Sequence, residues 1–182
     1  SFTPDKGIAG TSVTINGANF SATPANNQVQ FNRLVTAAVS SSTPTSIQTT
    51  VPTGAQSGAI SVTTSTGTGK STQDFFITPA GYGTTDVEFT GRMTIGGAPL
   101  VMPINTTNKI AQAIFDGVVG QRVSIKVSNS TFPDFGATSA TLKLLRPDGV
   151  QLGQVNWHAA NGGVDENFLD AVTLPITGTY TI

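Results

Sequence analysis

Short runs of alternating apolar and polar residues, each cut off by glycine, proline or asparagine, set the fold class of this chain. Ser12-Val13-Thr14-Ile15-Asn16 puts Val13 and Ile15 on one side of an extended segment and runs into Asn16-Gly17. Ala59 to Thr64 repeats the pattern with Ile60 and Val62. A strand turns successive side chains to opposite faces, so such runs bury one face and wet the other. The 20 glycines and 10 prolines recur too often for a long helix, and β-branched residues dominate the apolar positions. Only Lys109 to Phe115 has helical character, and it alternates equally well as a strand. Runs spaced by turn signals at intervals of about ten residues predict an all-β chain of sandwiches or barrels.

The 182 residues suit one large domain or two small ones. Charged residues make up 10%, against about 25% in ordinary soluble proteins. A net charge of −1 gives no long-range field to draw nucleic acid or an anionic membrane. The nine basic residues, from Lys6 and Arg33 to Lys143 and Arg146, form no stripe, which argues against nucleic-acid binding. Cysteine is absent, so disulfides, thiolate nucleophiles and cysteine metal sites are excluded. No run of about 18 apolar residues predicts membrane insertion. No signal-peptide pattern is present, and the chain opens at Ser1 rather than Met. The expectation is a mature product or a segment of a longer chain.

In the first half, strands are expected at Ser12–Asn16, Gln28–Phe31, Ala37–Ser40, Ser46–Val51, Ala59–Thr64 and Phe75–Ile77. Turns are expected at Asn16-Gly17, Gly54 to Gly58 and Thr66 to Gly69, where glycine makes positive φ cheap. The motif set is Pro4, Gly7, Ala9-Gly10-Thr11, Val13-Thr14-Ile15, Gly17-Ala18-Asn19-Phe20, Val29-Gln30-Phe31, Val51-Pro52, Gly58, Ile60 to Thr64 and Phe75-Phe76-Ile77. On these residues, 1–78 resembles an IPT/TIG domain, which implies an immunoglobulin-like sandwich. Residues 79–90 are expected to be a linker punctuated by Pro79, Gly81 and Gly83, with Asp86 to Phe89 already able to start a strand.

In the second half, strands are expected at Ile110–Phe115, Arg122–Val127, Ala140–Arg146, Gln151–Trp157, Asn167–Val172 and Gly178–Ile182, with a tight turn at Pro147-Asp148-Gly149. Phe115, Gly120-Gln121-Arg122-Val123-Ser124-Ile125, Leu142 to Gly149 and Leu174-Pro175-Ile176-Thr177-Gly178-Thr179-Tyr180-Thr181-Ile182 carry a second likeness. Residues 91–182 resemble the pre-peptidase C-terminal (PPC-type), jelly-roll-like β-sandwich of secreted bacterial proteins. That family normally follows its Gly-Thr-Tyr strand with a turn and one more strand. The expectation is therefore a domain lacking its last strand, either cut from a longer protein or completed by a neighbouring copy. Truncation is the simpler of the two, since edge strands are usually protected.

Catalytic constellations are missing from the sequence. Gly67-Thr68-Gly69-Lys70-Ser71-Thr72 looks like a phosphate loop, but Thr64 stands where the pattern needs glycine and a strand follows where a helix is needed. A hairpin turn is expected instead. His158 is the only histidine and no Gly-x-Ser-x-Gly elbow is present, so no catalytic residue is assigned. Trp157, alone of its type, is the candidate for stacking on a glycan, with Tyr82 or Tyr180 as helpers. Asp165, Glu166 and Asp170 form the densest acidic cluster, with Asn161 and Asn167 beside it. Hard cations want oxygens converging from loops, and the PPC-type resemblance implies that calcium binding occurs in such domains. The cluster is thus a candidate calcium site, although no Asp-x-Asp-x-Asp-Gly loop accompanies it; no other cofactor is expected. Three glycosylation triplets, at Asn19, Asn105 and Asn129, arise readily by chance in a chain this rich in Asn and Thr. In a bacterial source, which both resemblances imply, they would be idle.

Together these readings predict two β-sandwiches in tandem. The expected role is a non-catalytic structural or adhesive module of a secreted or cell-surface protein. The residues that matter are then core residues such as Val13, Ile15, Phe20, Phe31, Phe115, Leu144 and Tyr180. Its partners would be other domains of the same protein, or neighbouring copies joined into a filament by strand complementation. The rival expectation is a polysaccharide-binding accessory module of a secreted hydrolase.

Overall fold

The computed structural model describes residues 1–32, 35–130, 139–158 and 165–182. Among them regular structure is almost wholly β, with two short 3-10 turns at Pro24–Asn26 and Thr84–Asp86. The chain divides into two compact units: residues 1–92 with 99–114, and residues 93–98 with 115–182.

The first unit opens with nine strands: β1 (Phe2–Thr3), β2 (Lys6–Gly7), β3 (Ser12–Asn16), β4 (Gln28–Phe31), β5 (Val35–Ala37), β6 (Val39–Ser42), β7 (Ser46–Thr50), β8 (Gly58–Thr64) and β9 (Gly67–Ile77). They form a four-stranded sheet, β1-β3-β7-β6, and a five-stranded sheet, β2-β9-β8-β4-β5. All pairs are antiparallel except β2 with β9. Alternation explains what lies between the sheets. Phe2, Val13, Ile15 and Ile47 of one sheet pack with Val29, Phe31, Ile60, Val62 and Phe75 of the other. Phe75 is the aromatic hub, edge-on to Phe31 at 5.1 Å and tilted against Phe2 at 6.0 Å.

Two of the chain's five crossings between these sheets take only one or two residues. The first change comes at Pro4, after a cis Thr3–Pro4 peptide, between β1 and β2. Proline has no N–H to lose where the chain leaves a ladder. The second comes at Ala38, because β5 pairs with β4 whereas β6 pairs with β7. The single strand expected at Ala37–Ser40 is therefore two strands in different sheets. Buried Thr49 donates its hydroxyl to the Ala38 carbonyl at 2.7 Å, satisfying a group that neither ladder serves.

The expected phosphate-loop mimic lies within β9, paired along β8 from Thr64↔Gly67 to Ser61↔Lys70. The hairpin turn is the tighter Ser65-Thr66 rather than Thr66 to Gly69. Where the β8–β9 register slips, the Ile60 amide donates to the Ser71 hydroxyl at 3.0 Å. Two further strands follow, β10 (Val87–Arg92) and β11 (Ile110–Gly117), paired in parallel from Val87↔Ile110 to Arg92↔Ile114.

The second unit contains the end of β11 and β12 (Arg122–Ser130), β13 (Ser139–Leu145), β14 (Gln151–His158), β15 (Asp165–Thr173) and β16 (Gly178–Thr181). β12 pairs antiparallel with β15, and β13 with both β14 and β16. Phe115, Val123, Leu142, Leu144, Leu169, Leu174 and Tyr180 form its core. Pro147-Asp148-Gly149 is the expected turn: Arg146 and Val150 pair across it at 2.9 Å, and Gly149 takes φ 82°. The Arg146 guanidinium bonds the Asp148 carboxylate and holds its pKa down at about 2. Of the seven core residues named from the sequence, six are buried. Phe20 is half-buried, its ring lying against Gly17.

Candidate functional site

Most of the side chains picked out from the sequence lie outside the described residues. Trp157 and His158 end β14, opposite Ala140 and Ser139 on the backbone. Their side chains lie outside the described residues, as do those of Asp165 and Glu166. Asn161 lies outside entirely. The acidic cluster was expected in or near a loop, with Asp170 already within the strand expected at Asn167–Val172; Asp165, Glu166 and Asp170 all belong to β15. An extended strand advances about 3.3 Å per residue, so five steps separate Asp165 from Asp170 by about 16 Å of backbone. Among the described residues no group of three or more His, Cys, Asp or Glu could hold a metal.

Tyr180 cannot serve as a stacking surface. Its side chain is fully buried, with its ring stacked on Phe115 at 5.4 Å and its hydroxyl bonded to the Ile176 carbonyl at 2.6 Å. Burial pushes its pKa up. Tyr82 is different, being 39% exposed.

Two features of the first unit had no motif to announce them. The first is a set of ties between residues 1–78 and the strands β10 and β11. Lys6 Nζ donates to the Val87 carbonyl at 2.9 Å. Arg92 grips the Asp74 carboxylate through Nε at 2.7 Å and Nη2 at 2.8 Å. Gln112 Nε2, on β11, donates to the Ile77 carbonyl at 2.9 Å. Within the added segment, Lys109 pairs with Asp86 at 2.6 Å and the Asn105 amide donates to Glu88 at 2.5 Å. These contacts depress both carboxyl pKa values: at Asp86 chiefly through Lys109, at Glu88 chiefly through the Thr106 side chain and then the Asn105 amide.

The second feature is a groove of about 410 Å³ whose walls come from three turns distant in sequence. Ile8, Val51, Pro52, Ile77, Thr78 and Tyr82 are among its lining residues, and no charged side chain lines it. Backbone bonds fix its frame. Gly10 donates to Val51 at 2.8 Å, Val51 to Thr11 at 2.9 Å and Thr78 to Gly7 at 2.9 Å. Tight turns bring Ala55 N to Pro52 O at 3.2 Å and Tyr82 N to Pro79 O at 3.1 Å. Thr78 is only 4% exposed, and its hydroxyl has no hydrogen-bond partner in the protein, nor has the side-chain oxygen of Gln112. Buried polar groups are ordinarily paired, which marks Thr78 out. Among the described residues no helix is long and apolar enough to cross a membrane.

Comparison with known proteins bears on the first half. No curated protein matches the chain. Solved structures from Bacteroides thetaiotaomicron show limited likeness. An auxiliary nutrient binding protein is 21% identical, over 43% of this chain and 20% of that one, with a TM-score of 0.40. A protein of unknown function is 19% identical over the same shares, with a TM-score of 0.39. The chain thus spans about a fifth of the length of these structures. Residues 1–78, the segment holding both sheets of the first sandwich, match the family model of the IPT/TIG domain, an immunoglobulin-like module.

Proposed function

We propose that this chain is a non-catalytic structural module of a bacterial secreted or cell-surface protein. In this reading residues 1–78 are its IPT/TIG domain and residues 91–182 a PPC-type sandwich, and the module spaces or presents what lies beyond it. The observation that carries the reading is the set of ties from Lys6, Asp74 and Ile77 to Val87, Arg92 and Gln112. A free connector lets neighbouring domains swing by default, whereas a connector bonded back onto its own domain passes load as part of it. Single-molecule pulling on the chain tests this. The spacer reading expects residues 84–92 and 110–114 to unfold in the same event as β8 and β9. Their release at low force, ahead of the sandwich, contradicts it.

The reading extends to assembly. Among the described residues β12 and β15 have only each other as ladder partners, so each offers an edge that a strand from a neighbouring copy could join. Electron microscopy beside size-exclusion chromatography with light scattering decides this part. Ordered fibres support strand complementation between copies; a homogeneous monomer leaves the spacer and removes the filament.

A further inference from the structure

We propose that Met93 is an oxidation-responsive latch: its thioether fastens residues 93–98 to the core of the second unit, and its conversion to the sulfoxide by a hydroperoxide releases them. This is a modification site and does not rest on the spacer reading. The chain has two methionines, Met93 and Met102, and no cysteine, so these two hold all its sulfur. Both fall in residues 93–109, the connection between β10 and β11, which carries no helix or strand. Connections longer than about 12–15 residues without regular structure are uncommon and usually functional. Met93 packs against the core that includes Phe115, Leu144, Leu174 and Tyr180, while staying partly exposed. The residues that follow, Thr94 to Pro99, are all exposed. The Gly97 amide bonds back to Thr94, within the segment, at 2.9 Å. Met93 is therefore the side chain that holds this stretch to its unit.

A thioether suits that task because it is flexible, apolar and polarisable, and fills irregular gaps at the margin of a core. It is also the sulfur that a peroxide attacks where no thiol competes. The peroxide O–O bond breaks and an S–O bond forms at Met93 Sδ. Sulfur gives up an electron pair, and the peroxide leaves as water, or as an alcohol if it was organic. Partial exposure gives the oxidant a way in that a fully buried side chain such as Leu174 lacks. The product is polar, and its oxygen needs a donor. The apolar side chains of that core offer none, since the Tyr180 hydroxyl already donates to Ile176. Met102 is also partly exposed but, among the described residues, is not one of those packed against either core. Its sulfoxide should leave both cores intact.

The test is hydrogen peroxide treatment of the whole chain, with peptide mass mapping of the sulfoxides and hydrogen exchange of the second unit. Met93 should gain one oxygen atom. Exchange in β13 and β16 should then speed about tenfold, the order expected when a polar group without partners is set against a core. Methionine sulfoxide reductases acting on both epimers should remove the oxygen and restore protection. Met93→Leu, a volume-conserving change, should fold as the parent does and keep its protection through peroxide treatment. Met93→Gln, polar and of similar length, should show the faster exchange without any peroxide. Met102→Leu should leave the response unchanged. A Met93 that stays unoxidised while Met102 is converted overturns the proposal. So does a Met93 sulfoxide that leaves exchange in β13 and β16 as it was, or loosening that persists in Met93→Leu or after reduction.

Discussion

Tyr180 folds back on its own chain: its hydroxyl donates to the carbonyl of Ile176, four residues earlier, at 2.6 Å. The bond closes the Ile176 to Tyr180 corner, while the ring stacks on Phe115 in the core of the second unit. Immunoglobulin-like sandwiches fix a strand corner with a tyrosine in a similar way. Tyr180→Phe keeps the stack and strands the carbonyl, so it should cost about 1–3 kcal/mol in a urea melt. Tyr180→Ala also empties the core and should cost about 3–5 kcal/mol.

Gly117 meets the same corner from β11. A methyl group there would run into Leu174 and come within 3.1 Å of the Tyr180 ring. Both neighbours are fully buried and cannot step aside cheaply. Gly117→Ala should therefore destabilise by about 1–3 kcal/mol through overpacking, read as a lowered urea midpoint.

Thr78→Val should move stability the other way. The hydroxyl is buried without a protein partner, so an isosteric methyl removes an uncompensated desolvation cost. A gain of about 1 kcal/mol by denaturant melt is expected. A loss of similar size would mean that the hydroxyl is satisfied in the free protein.

Acid should loosen both units. Asp86, Glu88 and Asp148 all have folded pKa values below their ordinary ones, held down by Lys109, by Thr106 and Asn105, and by Arg146. Carboxyls of this kind stabilise the fold above their unfolded pKa of about 4 and lose that contribution as pH falls through the lower folded value. Stability should be flat from neutrality to about pH 5 and decline towards about pH 2. Adding salt should shrink the effect, since these pairs are open to solvent. A profile flat down to about pH 2 would show that the ion pairs contribute nothing.

The strand pattern was legible wherever one face is buried. β3 and β4 begin and end where the alternation of Val13 with Ile15 and of Val29 with Phe31 begins and ends. β9 was not, because Gly67 to Asp74 is mostly exposed and polar, and only Phe75-Phe76-Ile77 carried a burial signal. The switch at Ala38 was hidden for a related reason, since a strand that changes sheets keeps its extended backbone. The groove left no trace, because its walls meet only in three dimensions. Thr78 on its wall looks like any strand-end threonine. The ties of Lys6, Arg92 and Gln112 were equally silent, as pairings across 18 to 81 residues follow no local period.

Hydrogen exchange by mass spectrometry on the intact chain tests the central claim most directly, since it reads whether residues 84–92 and 110–114 share the stability of the sandwich of residues 1–78. Protection of Val87 to Arg92 and Ile110 to Ile114 should match that of β8 and β9. Arg92→Ala should speed exchange in β10 while costing no more than about 1 kcal/mol globally, as partly exposed ion pairs do. Rapid exchange across β10 and β11 while β3, β7 and β8 remain protected would contradict the account, leaving an ordinary flexible connector in place of a rigid extension.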